Sequence, residues 1–181
     1  MEYSPFGKNG KIEVSAPIPY PPLEVDGPNP QYARMLGVDM ASSKSEMTSI
    51  CQYLYHSWTL PKDFDHAHDL MRRIAEVEMH HLDMLGELIV KLGGNPRYMA
   101  VMNRPVPWEG RMVTYNHTPA MAVKDDMLLE QAAIDTYRRQ AAAIRDPHIV
   151  AVLRRIIMDE EMHITIFKAL LAQANTGSRR E

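Results

Sequence analysis

Two segments of the chain, RRIAEVEMHHLDML and RRIIMDEEMHITIF, place a glutamate and a histidine three residues apart inside an apolar helical stripe. The pairs are Glu78 with His81 and Glu160 with His163. Residues three apart on a helix project from the same face, so each pair is presented together. An ionised carboxylate in an apolar interior is costly unless an opposite charge accompanies it. The chain must therefore adopt a helical fold that buries these acids beside compensating charge.

Two other helical stripes also contain a glutamate. Glu130 precedes an isoleucine by four residues and Tyr137 by seven, and Glu46 precedes an isoleucine and Tyr53 at the same distances. This spacing follows one face of a helix. The offset between the two stripes is 84 residues, and the offset between the two Glu-x-x-His pairs is 82. The sequence thus indicates an internal duplication of a helical hairpin.

Four long segments have helical periodicity, and no strand pattern competes with them. The connection between the second and third segments is long and contains prolines. Asp146-Pro147 and Thr118-Pro119 predict capped helix starts, and the glycines of LGGNP predict a left-handed stop. We predict an all-α fold, a four-helix bundle with one long crossover between helices two and three. The predicted helices span residues 42–58, 64–92, 120–145 and 147–174, and the crossover spans 93–118.

The prolines before the bundle remove backbone donors and fix φ, which predicts an extended arm lying over the domain and packing against a partner subunit. NPQYARML, which follows, is compatible with a short helical turn. We expect an arm at residues 1–35, a bundle at 36–175 and a tail at 176–181.

Two hairpins related by a pseudo-twofold axis would bring the four glutamates and two histidines together. Two divalent cations balance four carboxylates, and each histidine adds one neutral nitrogen ligand. One glutamate from each of two helices plus Glu-x-x-His from each of the other two is the ligand set of di-metal carboxylate bundles. Manganese and iron both accept these ligands, so the choice of metal stays open. The predicted metal ligands are Glu46, Glu78, His81, Glu130, Glu160 and His163.

Several neighbouring residues have a simpler interpretation. His80 is an alternative ligand to His81, but only His81 keeps the three-residue spacing. We expect the matched Tyr53 and Tyr137 to donate hydrogen bonds to ligand carboxylates rather than only to fill core. We expect three histidines at the surface, namely His56, His66 and His68. Three acids are expected either at the surface or just outside the ligands, namely Glu76, Asp159 and Glu161. Arg72, Arg73, Arg154 and Arg155 are also predicted surface charges, unless one of each pair neutralises the rim of the site.

Composition excludes other classes of function. A net charge of −3 gives no basic field, so we expect neither a nucleic-acid nor a membrane partner. Cys51, the single cysteine, cannot form an internal disulfide, which suits a cytoplasmic protein. No apolar run reaches the roughly 20 residues that span a bilayer.

The stretches PNPQYARML, EMTSICQYLYHSW, EVEMHHLDM and RDPHIVAVLRRIIMDEEMH resemble the ferritin-like superfamily, above all the manganese catalases and the related short catalase-like spore-coat proteins. The resemblance runs from about Tyr20 to Ala172. It implies that Glu160 is either a direct ligand or a carboxylate that gates the site, and that the other five predicted ligands bind metal. The chain lacks the cysteine-rich module that supplies electrons in rubrerythrins.

The resemblance implies a di-manganese or di-iron centre that reacts with hydrogen peroxide. Dismutation of peroxide needs no external electron donor, in agreement with the missing module. The predicted catalytic residues are Glu160, Tyr53 and Tyr137, whose carboxylate or hydroxyl groups would transfer protons. The alternatives are ferroxidase or iron-handling activity, with dioxygen as substrate, and a structural coat protein that retains the metal site. We also expect a homo-oligomer, with the spore coat as the alternative to a cytoplasmic location.

Overall fold

The computed structural model describes residues 12–64 and 66–177. Residues 1–11 of the predicted arm and 178–181 of the predicted tail lie outside the described residues. The described chain forms five α-helices, namely α1 (Pro30–Ala41), α2 (Glu46–Thr59), α3 (Ala67–Lys91), α4 (Pro119–Ala143) and α5 (Pro147–Gly177). Helices α2 to α5 form two hairpins, α2 with α3 and α4 with α5. This confirms the predicted four-helix bundle with its long crossover between the second and third helices.

Helix α1 is longer than the predicted helical turn. It has 12 residues because Asn29 accepts hydrogen bonds from two backbone amides of the first turn, and Pro30 presets the first helical φ. Helix α2 begins at Glu46 rather than at residue 42, since Ser45 is extended and caps it. Glu46 therefore lies in the first turn of α2.

The other predicted helix ends have mixed outcomes. Asp146 caps α5, accepting from His148 N at 3.0 Å, and Gly93 ends α3 with φ of +79°. The predicted side-chain cap at Thr118 is wrong, because Thr118 makes no such hydrogen bond. Pro119 alone marks the start of α4.

The crossover contains structure that the sequence pattern did not indicate. Two short strands, β1 (Met99–Val101) and β2 (Pro105–Pro107), pair antiparallel, and a 3₁₀ turn follows at Gly110–Met112. The expectation that no strands form is wrong here, because three-residue strands are too short to produce a visible alternation.

The core is divided into two apolar clusters by a polar layer. Along α3, Leu70 and Ile74 lie in one cluster and Leu85 in the other, with Glu78 and His81 between them. Helix α5 runs antiparallel and repeats this order in reverse. The Tyr137 cluster includes Leu36, Leu85, Tyr137, Leu153 and Ile156. The Tyr53 cluster includes Tyr53, Leu70, Ile74, Val123 and Phe167.

The described part of the arm, residues 12–29, lies on the bundle. Tyr20, Leu23 and Val25 pack against the Tyr137 cluster, and the amide of Asp26 donates to Asp146 at 2.7 Å. The arm therefore covers one side of the bundle. Within residues 12–64 and 66–177, no helix has the length and apolarity that a membrane crossing requires.

Candidate metal centre

The polar layer brings together all six predicted ligands from four helices. Each of the six residues is at most 2% exposed. Glu46 comes from the start of α2 and Glu130 from the middle of α4, while α3 and α5 each contribute a Glu-x-x-His pair. Helical periodicity places both members of each pair on the inward face.

The six residues form two overlapping groups. In each group, one ligand atom per residue lies within 4.8 Å of all the others. Glu78 and Glu160 belong to both groups and so lie between two candidate metal positions. The first group is Glu46, Glu78, His81 and Glu160, and the second is Glu78, Glu130, Glu160 and His163.

Both histidines direct Nδ1 into the cluster and Nε2 away from it. The Nδ1 atom of His163 lies 2.9 Å from Glu78 Oε1 and 3.1 Å from Glu160 Oε2. Its Nε2 atom lies 2.9 Å from the backbone oxygen of Val14. A carbonyl only accepts, so neutral His163 carries its proton on Nε2, and its Nδ1 lone pair is then available to a cation.

His81 has the same orientation but a different outer partner. Its Nδ1 lies 3.1 Å from Glu78 and 3.4 Å from Glu160. Its Nε2 lies 3.0 Å from Asp159 Oδ2. Asp159 is fully buried. Of the two predicted alternatives, a surface position or a position just outside the ligands, the second is therefore correct.

The two tyrosines make matched contacts. Tyr53 donates to Glu130 Oε1 at 2.7 Å, and Tyr137 donates to Glu46 Oε1. The structure therefore contains both expected hydrogen bonds to carboxylates of the cluster. Burial, then the nearby carboxylates, raise the pKa of both phenols well above the usual value, so both hydroxyls remain donors.

The carboxyl groups fall into two classes by pKa. Burial, and then the charges of Glu78 and Glu160, raise the pKa of Glu46 and Glu130. Burial alone would also raise the pKa of Glu78, but His163 and His81 hold it below its usual range. The cluster thus resists holding four bare negative charges, which either protons or cations would neutralise.

The histidines respond to the same charges. Burial acts to lower their pKa values, but the surrounding carboxylates raise the pKa of both His81 and His163 well above the usual value. Protons and metal ions therefore compete for the same nitrogen lone pairs.

The donor set fits two metal ions. Among the described residues, Glu78 Oε1 and Glu160 Oε1 are buried without a hydrogen-bond partner. In neutral imidazoles with the proton on Nε2, the Nδ1 lone pairs would face these two oxygens. Such an arrangement of acceptors around one point is stabilised by a cation bound between them.

The N-terminal arm contributes a layer of partners that sequence reasoning missed. Asp159 accepts from Tyr20 OH at 2.5 Å and from the backbone amide of Ala16 at 2.7 Å. Arg155, predicted as a surface charge or a rim group, is 4% exposed and lies 2.7 Å from Asp159. The arginine four residues before Asp159 was a sequence signal for this ion pair. No pattern in the arm indicated Tyr20.

The prediction that His56 lies at the surface is wrong. His56 is fully buried, with Nδ1 3.0 Å from Asp126 Oδ2. Gln52 donates to the other oxygen of Asp126 at 2.8 Å and accepts from Thr114 of the crossover. This network fixes the crossover against α2 and α4, one turn from Glu130.

The remaining neighbours lie outside the polar layer. His80 is exposed, unlike His81. His66 is exposed and His68 is half-buried, near the backbone oxygens of Ser57 and Pro61. The surface expectation also holds for four other charged side chains, Arg72, Arg154, Glu76 and Glu161.

Comparison with known proteins identifies the family. The family described as ferritin-like domain matches residues 42–176. The chain is 26% identical to a bacterioferritin of Desulfovibrio desulfuricans over 140 residues, covering 75% of this chain and 73% of that protein. It is 22% identical to a probable manganese catalase of Clostridium acetobutylicum over 179 residues, covering 88% and 79%.

A solved structure has the same fold. KatB, a manganese catalase from Anabaena, superposes with a TM-score of 0.79 at 18% identity, covering 88% of this chain and 80% of that one. Since the family match spans most of the sequence, the chain belongs to the ferritin-like domain family, with a fold related to both manganese catalase and bacterioferritin.

Proposed function

We propose that this protein holds two divalent metal ions and acts on hydrogen peroxide as a di-metal oxidoreductase, catalase-like or peroxidase-like. Glu46 and His81 would bind one ion, Glu130 and His163 the other, and Glu78 and Glu160 both. The burial of all six side chains and the shared position of the two central glutamates support this assignment.

The observation that carries the proposal is the closure of the cluster. The arm contacts the outer nitrogen of His163 directly and that of His81 through Asp159. Tyr53 and Tyr137 cover the glutamates of α2 and α4. A closed site suits metal ions that stay in place and a small neutral substrate. Iron passing through to a store would require a more open route.

The protein side chains would hold the metal ions and transfer protons during the reaction. A bound pair of manganese or iron ions would supply the redox chemistry, taking two electrons from one peroxide, which leaves as dioxygen, and giving two to the next, which leaves as water. Glu160, as a ligand or as a gate, would accept protons released when peroxide is oxidised. Tyr53 and Tyr137, which hydrogen-bond Glu130 and Glu46, would relay protons to the peroxide that is reduced.

An oxygen electrode tests this function. Protein loaded with manganese should release dioxygen from hydrogen peroxide without added reductant. His81→Ala or His163→Ala should abolish the release by removing one nitrogen ligand, and Glu78→Gln should be similarly damaging because an amide lacks the charge. His80→Ala is the matched control, since His80 is exposed one residue from His81. Fully metallated protein that releases no dioxygen would refute the peroxide assignment.

The second candidate function is iron handling, which the likeness to a bacterioferritin favours. It predicts rapid oxidation of ferrous iron and assembly into a hollow shell, whereas the peroxide function requires no such shell. Light scattering combined with a ferrous oxidation assay separates the two. A purely structural role, as in a coat protein, predicts tightly held metal without either reaction.

A further inference from the structure

The repeated Arg-Arg-Ile before each Glu-x-x-His pair is not explained by metal ligation. The first arginine of each repeat, Arg72 and Arg154, is exposed. The second arginines of the two repeats, Arg73 and Arg155, are 82 residues apart in the sequence. Both donate hydrogen bonds to the N-terminal arm. Both copies of the repeat therefore contact the arm through their second arginine.

Arg155 makes most of these contacts. It donates to the backbone oxygens of Ile18 at 2.5 Å and Ala16 at 2.7 Å. Its guanidinium carbon lies 4.1 Å from the centre of the Tyr20 ring. Because Arg155 is buried and its five donors form a rigid fork, these bonds fix the arm in one position.

Arg73 holds the arm at a second point, donating to the backbone oxygen of Ile12 at 2.6 Å. The arm residues between these two contact points, Ile12 and Ala16, include Val14, whose carbonyl accepts from His163. The two contacts thus flank the point where the arm meets the cluster.

The same segment serves the other histidine. Ala16 N and Tyr20 OH donate to Asp159, whose Oδ2 lies 3.0 Å from His81 Nε2. The Tyr20 hydroxyl also lies 3.4 Å from His81 Nε2 itself. The arm therefore orients the outer nitrogens of both histidines, that of His163 through Val14 and that of His81 through Tyr20 and Asp159. Such outer partners fix the tautomer and ring orientation of a metal-ligating histidine.

We propose that Arg73 and Arg155 are positioning residues that fasten the arm over the histidines, so that release of the arm sets the rate at which metal leaves the centre. This inference rests on the proposed metal centre. Arm docking and metal binding are then coupled, and by linkage each stabilises the other.

The test compares Arg155→Ala with Arg154→Ala, neighbours that each lose one positive charge. Both proteins are loaded with Mn²⁺ alone, and transfer of the ion to a chromogenic chelator is timed. Arg155→Ala should release metal about 10–100-fold faster, the range seen when outer partners are removed. Arg154→Ala should match the wild type, and Arg73→Ala should fall between Arg155→Ala and its own control, Arg72→Ala.

Hydrogen exchange of residues 12–20 gives the second readout, which a general loss of stability would not localise to the arm. These amides should exchange faster in Arg155→Ala, and more slowly with Mn²⁺ than without it in the wild type. Equal metal release in Arg155→Ala and Arg154→Ala, with the arm detached only in the former, would overturn the inference. Unchanged arm exchange in a folded Arg155→Ala protein would do the same.

If Arg155→Ala does not fold, Arg155→Lys and Tyr20→Phe are measured by the same criteria. Neither readout uses peroxide. Normal metal retention without dioxygen release would therefore refute the peroxide function and leave the role of the arm intact.

Discussion

The Nε2 atom of His81 lies 3.0 Å from the carboxylate of Asp159. The equivalent atom of His163 lies 2.9 Å from a neutral carbonyl, that of Val14. A carboxylate is the stronger acceptor and makes an imidazole a better metal ligand. The two halves of the duplicated centre are therefore chemically different.

Asp159→Asn should weaken the two metal positions unequally. The amide can still accept from His81 but carries no charge, so affinity at the His81 position should fall about 10–100-fold. Calorimetric titration with Mn²⁺ should then resolve two steps of one ion each. Glu161→Gln, an exposed neighbour, should titrate as the wild type does. Equal weakening of both steps would contradict the assigned asymmetry.

The stabilisation by metal should grow with pH. The pKa values of Glu46 and Glu130 are raised from 4.5 by burial and neighbouring carboxylates, and those of His81 and His163 are raised from 6.5 by carboxylates against burial. Groups with raised pKa bind more protons in the folded state. The metal-free protein therefore loses stability as pH rises from about 5 to 8.

Metal affinity, in contrast, rises with pH, because the ligands must lose these protons before they bind metal. The depressed pKa of Glu78 affects stability only below its ordinary value of 4.5, outside this range. The difference in melting temperature between loaded and chelated protein should therefore widen from about pH 5 to 8. A constant or shrinking difference, with metal content verified, would rule out this ligand set.

His56→Ala should destabilise the protein without removing metal. The change removes one of the two side-chain partners of buried Asp126, His56 at 3.0 Å, and leaves only Gln52, which costs about 1–3 kcal/mol. Each kcal/mol lowers the melting temperature of a domain this size by about 2–4 °C. His68→Ala, at a half-buried histidine in the first turn of α3, is the comparison. Loss of bound manganese in folded His56→Ala would place His56 in the centre after all.

Tyr53→Phe should separate proton transfer from metal binding. Both ions should remain bound, because Tyr53 hydrogen-bonds Glu130 but is not itself one of the six ligands. Dioxygen release should fall about 10²-fold or more, the contribution of a positioned proton donor. Tyr55→Phe, whose hydroxyl bonds the crossover backbone instead, should keep wild-type turnover. Unchanged turnover in Tyr53→Phe would show that this phenol is not the donor.

The bundle and the convergence of the six residues were predictable because both follow from local periodicity. Glu78 and His81 share a helix face at three-residue spacing whatever the tertiary structure, and the duplication then places the second pair opposite the first. The boundaries of α1 and α2 depend on the caps Asn29 and Ser45, which the periodicity does not include.

The outer partners were not predictable, since they depend on contacts between distant parts of the chain. Val14 acts through its backbone, which no side-chain pattern reveals. The spacing of Arg155 from Asp159 indicated their ion pair, but no pattern indicated that the arm covers Arg155. His56 was predicted at the surface because it lies near the first hairpin loop, and its partner, Asp126, is 70 residues away on another helix.

Anomalous diffraction at the manganese edge from crystals of the loaded protein locates the ions independently of activity, and so tests whether the six residues bind two metal ions. Two peaks are expected between Glu78 and Glu160, about 3.5–4 Å apart. One peak should lie beside His81 Nδ1 and the other beside His163 Nδ1. A single peak, or peaks away from these two nitrogens in a fully loaded crystal, would contradict the assignment of the six residues as a di-metal centre.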